Sequence, residues 1–129
     1  MRILVVDDMI SMRHVIIHML RDLEFTDIDE AVDGQQALDM LKSKPFDLVI
    51  TDFHMPNLNG QQLLVKIRSE KKLAKLPVLM VSCEGDKEKI KSLVQCKVTG
   101  FIVKPFNTLT LKKQLEMIKA KYYSPIVIQ

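Results

Sequence analysis

The hydrophobic and polar positions of this 129-residue chain follow two alternating periods. Short continuous apolar runs are typical of strands buried on both faces, and apolar residues three and four apart are typical of helices packed on one side. The continuous runs predict five strands, at residues 2–6, 27–31, 47–51, 77–81 and 100–103. The second run is the most polar, so we expect it at an edge of the sheet.

A helix is predicted after each strand. Ser11 and Thr108 are expected to cap the first and last helices, and Asp33-Gly34 to open the second. Five strand–helix units with short connections predict an α/β fold, a parallel sheet with helices on both faces. The predicted core positions of the helices are Met12, Val15, Ile16, Met19, Leu20 and Leu23, then Ala37, Leu38 and Leu41, then Leu63, Leu64 and Ile67, then Ile90, Leu93 and Val94, and finally Leu111, Leu115 and Ile118.

The length and composition of the chain are typical of one globular domain. Hydrophobic residues make up 47% and charged residues 27%, and no apolar run approaches a membrane span or a signal peptide, so a cytoplasmic protein is expected. The net charge is +3, from a lysine-rich last third that we interpret as a solvated helical surface rather than a nucleic-acid site. Cys83 and Cys96 are predicted to be free thiols. The tail 122–129 is either a docking segment or disordered.

Polar residues collect where the predicted strands end. In an open parallel sheet, ligands lie beyond the carboxyl ends of the strands. A helix cap would explain one such residue, but it does not explain a set that comes from four strands. The set is Asp7, Asp8, Asp52, Ser82 and Lys104.

These side chains indicate magnesium-dependent phosphoryl chemistry. Three neighbouring carboxylates repel one another, and one lysine does not balance them, so a divalent cation is the natural partner. Hard oxygen ligands without a Cys or His cluster favour Mg²⁺ over zinc. A carboxylate beside Mg²⁺, a lysine and a hydroxyl is equipped to form an aspartyl phosphate. The chain has only four glycines and no glycine-rich phosphate loop, which disfavours nucleotide or flavin binding.

Four motifs in this order resemble the receiver domain of two-component response regulators. They are "ILVVDD" (3–8), "DLVITDFHMPNLNG" (47–60), "PVLMVS" (77–82) and "GFIVKPF" (100–106). The resemblance covers residues 1–121, which are predicted as the receiver domain. Within the family, the chain is similar to the single-domain, CheY-like members that act in chemotaxis. The resemblance implies a doubly wound, flavodoxin-like sheet with strand order 2-1-3-4-5.

The resemblance also implies roles for the acidic residues. Asp52 would be the phosphoacceptor, supplied by a histidine kinase or a phosphotransfer protein. Asp8 and Asp52 would bind Mg²⁺ directly and Asp7 through water, and the backbone carbonyl of His54 would complete the protein ligands. The chain would act as a phosphorylation switch and not as a classical enzyme.

A second group of implied residues forms the switch. Ser82 would move its hydroxyl onto the phosphoryl oxygen, Lys104 would pair with the phosphoryl group, and Phe101 would turn inward as Ser82 moves. The fourth helix, fifth strand and fifth helix would bind an output protein, for which we expect an acidic or amphipathic segment. The lysines of that face are Lys87, Lys91, Lys97, Lys112 and Lys119.

Three positions depart from the commonest pattern of the family: His54, Cys83 and Phe101. His54 and Glu84 lie two residues after Asp52 and Ser82, so their side chains are predicted to flank the phosphoryl group and set its lifetime, with or without a phosphatase partner. In the alternative interpretation only the His54 carbonyl matters, as a metal ligand. Phe101 lacks the hydroxyl of the usual tyrosine.

Other interpretations stay open at this point. A phosphate sink or relay would receive phosphoryl groups without an output partner, and a Mg²⁺-dependent phosphohydrolase would turn over a small phosphoester. His14 and His18 have the spacing of metal ligands on a helix, but a solvated pair is favoured because further ligands are missing. Cys83 is interpreted as a small residue beside the site rather than a redox sensor.

Overall fold

The computed structural model describes residues 1–83 and 87–122, in which strands and helices alternate along the chain. The elements are β1 (Ile3–Val6), α1 (Ile10–Asp22), β2 (Ile28–Ala31), α2 (Gly34–Ser43), β3 (Leu48–Asp52), α3 (Gly60–Ser69), β4 (Val78–Ser82), α4 (Lys87–Gln95), β5 (Gly100–Val103) and α5 (Thr108–Tyr122). All five predicted strands are therefore confirmed to within one residue at each end. Of the predicted tail, the residues after Tyr122 lie outside the described part of the chain.

The strands form one parallel sheet in the order β2-β1-β3-β4-β5. This order confirms the doubly wound α/β fold and places the polar strand β2 at an edge, as predicted. The register brings the strand ends level, because Asp52 pairs with Val81 and Ser82 pairs with Val103. Residues at the ends of β3 and β4 and just after β1 and β5 consequently meet at one edge of the sheet.

Alternate side chains of the central strands are buried in two separate hydrophobic cores, one on each face of the sheet. Leu4 and Val6 belong to the core beneath α2, α3 and α4, whereas Ile3 and Val5 belong to the core beneath α1 and α5. Both sets are fully buried, which explains why β1 reads as a continuous apolar run instead of an alternating one. Helices therefore cover both faces of the sheet.

The helix caps differ in part from the predictions. Asp33 does cap α2, where its side chain accepts a hydrogen bond from Gln36 N. Ser11 is not a cap, because α1 already begins at Ile10 after Met9, which makes no side-chain cap bond. Thr108 is not the cap of α5 either: the side chain of Asn107 accepts from the backbone N–H of Thr110 at 2.9 Å. A side chain can cap only from the residue just before the first helical turn, and propensity alone did not locate that residue.

Two predicted core positions are on the surface. Val15 is 44% exposed and Val94 is 62% exposed, although both continue the helical spacing of their neighbours. On α1 the buried face instead runs through Arg13, Ile16, Ile17 and Leu20. Among the described residues, the structure contains no helix that is both long and apolar enough to cross a membrane.

Candidate functional site

Three carboxylates converge at the carboxyl edge of the sheet, and we call Asp7, Asp8 and Asp52 the acid cluster. One carboxylate oxygen from each lies within 4.8 Å of the others. Asp7 is 1% exposed and Asp52 is 8% exposed, whereas Asp8 is open to solvent. The cluster that the sequence predicted is therefore present, with one open side through which a ligand can enter.

The backbone around β1 fixes the direction of the Asp7 carboxylate. Met9 N donates a hydrogen bond of 2.9 Å to Asp7 Oδ1, and Asp7 N donates one of 3.2 Å to Ala31 O. The buried guanidinium of Arg13 adds a hydrogen bond of 2.8 Å from Nη1 to the Asp7 carbonyl oxygen, and its Nε donates to Glu30 Oε1 at 3.0 Å. These hydrogen bonds thus hold the turn between β1 and α1 in place.

The ammonium group of Lys104 lies inside the same site. Its Nζ is 2.9 Å from Asp52 Oδ1 and 3.4 Å from Asp7 Oδ2, and its side chain is only 10% exposed. Lys104 directly follows β5, and its backbone N donates to Ser82 O at the end of β4 at 2.7 Å. The Lys104-Pro105 peptide is cis. Lys104 therefore lies at the same edge of the sheet as the acid cluster, as the sequence predicted.

The pKa values in the site reflect burial and crowding. Burial raises the pKa of Asp7 above its ordinary value, and repulsion from Asp52 adds to this, against the Met9 hydrogen bond and Lys104. Burial by itself would lower the pKa of Lys104, but the hydrogen bond and charge of Asp52, together with Asp7, raise it. The raised pKa keeps the Lys104 ammonium protonated, so one positive charge lies among the three carboxyl groups of the acid cluster.

This donor set fits Mg²⁺. Mg²⁺ prefers carboxylate oxygens and keeps several waters, and the acid cluster offers three carboxylates with one of them facing solvent. The only His/Cys/Asp/Glu metal cluster found in the described residues is this one, and it contains no nitrogen or sulfur ligand. The family resemblance implies Asp8, Asp52 and the His54 carbonyl as direct ligands, and the structure places the carboxylates of Asp8 and Asp52 together.

The loop between β3 and α3 is held close beneath the phosphoacceptor candidate. Gly60 N donates to Phe53 O at 2.8 Å, and a Cβ on Gly60 would lie 2.4 Å from the carbonyl oxygen of Asp52. Asn57 adopts a positive φ of 68° and donates from Nδ2 to Asp33 Oδ2 at 2.9 Å. Glycine is required at position 60 because the chain approaches itself so closely there.

The imidazole of His54 lies against α4. Its Nε2 is 3.3 Å from Lys89 Nζ, and its ring meets the ring of Phe53 edge to face at 4.9 Å between centroids. Lys89 Nζ also lies 5.2 Å from the centroid of Phe53. The prediction that this side chain flanks the phosphoryl group stays a prediction.

The remaining predicted residues have different surroundings. Ser82 is the last residue of β4 and is 1% exposed, and Phe101 is partly buried against the core beneath α2, α3 and α4. Glu84 lies outside the described residues. Cys83 is exposed and Cys96 partly buried, and both are free thiols.

The two exposed histidines of α1 lie beside different carboxylates. His14 Nε2 is 3.8 Å from Glu30, and His18 Nε2 is 3.5 Å from Asp22. Their side chains are 62% and 79% exposed, which agrees with a solvated pair.

Sequence reasoning missed Arg13 and Lys89. Arg13 was detectable, because it lies three, four and seven residues before the buried Ile16, Ile17 and Leu20 and so shares their face. Lys89 was not detectable, because nothing local links it to Phe53 and His54, which precede it by more than thirty residues.

Comparison with known proteins agrees with this geometry. Residues 3–116 match the family described as the response regulator receiver domain. The chain belongs to this family. Receiver domains are signalling switches that operate through phosphorylation and bind Mg²⁺ at an acidic pocket, and they are not classical enzymes.

The relatives of this receiver domain include chemotaxis regulators. It is 48% identical over 118 residues to chemotaxis protein CheY-3 of Vibrio cholerae, covering 92% of this chain and 91% of the relative. CheY4 of Vibrio cholerae has a TM-score of 0.84 at 34% identity, covering 91% and 97% of the two chains. The receiver domain of sensor histidine kinase PA1611 from Pseudomonas aeruginosa, solved with magnesium in its active site cleft, shares the fold (TM-score 0.80, 23% identity, 92% and 93% covered).

Proposed function

We propose that this receiver domain belongs to a response regulator that accepts a phosphoryl group on Asp52 and signals by binding a partner, in chemotaxis as its relatives' names suggest. The observation that carries the proposal is the position of Asp52. Its carboxylate lies at the end of β3, 2.9 Å from the Lys104 ammonium and within 4.8 Å of the other acids of the cluster. A carboxylate placed only to cap a helix would not have these neighbours.

The proposed transfer is a displacement at phosphorus. One oxygen of Asp52 forms a bond to phosphorus while the bond between phosphorus and the donor breaks; the donor is a phosphohistidine of a kinase or phosphotransfer protein, or a small acyl phosphate. Lys104 pairs with the added negative charge, and Ser82 donates its hydroxyl to a phosphoryl oxygen. Mg²⁺, when bound, would neutralise charge on the phosphoryl oxygens. Asp8, Asp52 and the His54 carbonyl would hold it directly, and Asp7 through water.

The negative charge of the phosphoryl group then changes how Ser82 and Phe101 pack. A phosphoryl group adds about −1.5 to −2 charges near neutral pH. Ser82 moves toward it, which opens space for the ring of Phe101, and the face formed by α4, β5 and α5 changes shape. That Phe101 is only partly buried and borders the core supports its place in this switch.

Labelling with acetyl phosphate tests the chemistry. With Mg²⁺, the protein should gain one phosphoryl group that hydroxylamine removes, measured by intact-mass spectrometry. Asp52→Asn should abolish labelling, Asp8→Ala should weaken Mg²⁺ binding at least tenfold, and Asp39→Asn, an exposed acid of α2, serves as the control. Labelling of Asp52→Asn at the parent's level would contradict the assignment of the phosphoacceptor.

The output surface is proposed from its composition. Exposed lysines lie on α4 and α5, and the same face includes exposed apolar residues, Val94 of α4 at 62% and Val103 of β5 at 41%. A positively charged face that also carries apolar residues fits an acidic or amphipathic segment of a partner. Lys91→Glu with Lys112→Glu should weaken phosphorylation-dependent partner capture, and unchanged capture would place the interface elsewhere. If no phosphorylated form captures a partner, a phosphate sink or relay is favoured. If the protein turns over an added phosphoester, a phosphohydrolase is favoured.

A further inference from the structure

The contact between α4 and the residues that follow the phosphoacceptor has a consequence for the lifetime of the phosphoryl group. Phe53 is 7% exposed and is part of the core beneath α2, α3 and α4, so its ring is a fixed platform. Lys89, in the first turn of α4, places its ammonium 5.2 Å from the centroid of that ring. A cation at this distance from an aromatic ring is attracted to its face.

The same ammonium also holds the imidazole of His54. Nζ of a lysine has only donors, so His54 Nε2, 3.3 Å away, must accept with its lone pair. The edge-to-face contact with Phe53, with 63° between the planes, restrains the ring from the other side. Phe53, His54 and Lys89 thus form one unit that joins the β3–α3 loop to α4.

We propose that Lys89 is a positioning residue that holds the His54 imidazole toward α4 and thereby prolongs the phosphorylated state. The inference rests on the proposed function of Asp52. While Nε2 is engaged by Lys89, it does not hold the water that attacks phosphorus. In that hydrolysis the water oxygen bonds to phosphorus, the bond from phosphorus to the Asp52 oxygen breaks, and both water protons end on the phosphate product.

The decay of the phosphorylated protein tests the proposal. The protein is labelled with acetyl phosphate and Mg²⁺, transferred to buffer with Mg²⁺ alone, and followed by intact-mass spectrometry. Lys89→Met keeps the length of the side chain and removes the charge, so it should speed decay roughly two- to fivefold, the size of one exposed cation–π contact. Lys89→Arg keeps a cation over the ring and should decay at the parent's rate. Lys66→Met, at an exposed lysine of α3 that belongs to no proposed site, is the control.

A double-mutant comparison separates positioning from a general effect on the fold. In a His54→Ala background, Lys89→Met should change the decay rate by less than about 1.5-fold, because the group through which it acts is gone. The same acceleration in that background, or an equal or slower decay of Lys89→Met with His54 present, would overturn the proposal. Failure of the parent protein to label on Asp52 would instead overturn the proposed function, so the two failures are distinguishable.

Discussion

Removal of the Lys104 charge should destabilise the metal-free protein by about 2–4 kcal/mol at pH 7. At an effective dielectric constant of about 20, the attraction of Nζ is about 6 kcal/mol for Asp52 at 2.9 Å and about 5 kcal/mol for Asp7 at 3.4 Å. Lys104→Met loses both, but it also loses the cost of burying the ammonium. Removing one partner of a buried ion pair typically costs 3–5 kcal/mol, and proton uptake by Asp7 reduces this.

The dependence on pH has a definite sign. Asp7 already has a pKa raised by burial, and loss of Lys104 raises it further. A carboxyl whose folded-state pKa exceeds its unfolded value binds more protons in the native state, so its contribution to stability is present at low pH and is lost as pH rises through the folded pKa. The difference between Lys104→Met and the parent should therefore shrink as pH falls from 7 toward 4.

Urea unfolding followed by far-ultraviolet circular dichroism, in the presence of a chelator, measures this difference. The midpoint should shift while the m-value stays constant. Lys113→Met, an exposed lysine of α5, should change stability by less than about 0.5 kcal/mol. Added Mg²⁺ should restore part of the loss, because it binds only the native site. A variant as stable as the parent in chelator at pH 7 would refute the reasoning.

Two further substitutions test local features of the fold. Asp33→Ala should cost about 1 kcal/mol at pH 7, because the α2 cap is lost, whereas Asp33→Asn keeps it. Since the hydrogen bond from Gln36 N lowers the pKa of Asp33, this contribution should be lost as pH falls below about 3.8; a thermal melt series measures it. Gly60→Ala should cost about 1–3 kcal/mol, because the Cβ overlaps Asp52 O, with Lys66→Ala as a neutral control; an unchanged urea midpoint would contradict the close approach.

The sequence by itself determined the elements and the chemistry of the site. A strand that is buried on both faces is apolar along its length, so the first acidic residue in the sequence marks its end. These residues are Asp7, just after β1, and Asp52, the last residue of β3. The carboxyl ends of parallel strands lie at one edge whatever the order of the strands. The convergence of Asp7, Asp8, Asp52, Ser82 and Lys104 was therefore predictable before any distance was known.

Only the tertiary structure decided which side chains outside the strands take part. Val15 and Val94 keep the helical spacing but face solvent, because the sheet beneath each helix covers only part of its circumference. Arg13 is buried on α1, where its guanidinium donates hydrogen bonds to the Asp7 carbonyl oxygen and to Glu30. The contact of Lys89 with Phe53 and His54 joins segments that are distant in sequence, and local periodicity carries no information on such pairs. Their meeting depends on how α4 packs over the sheet.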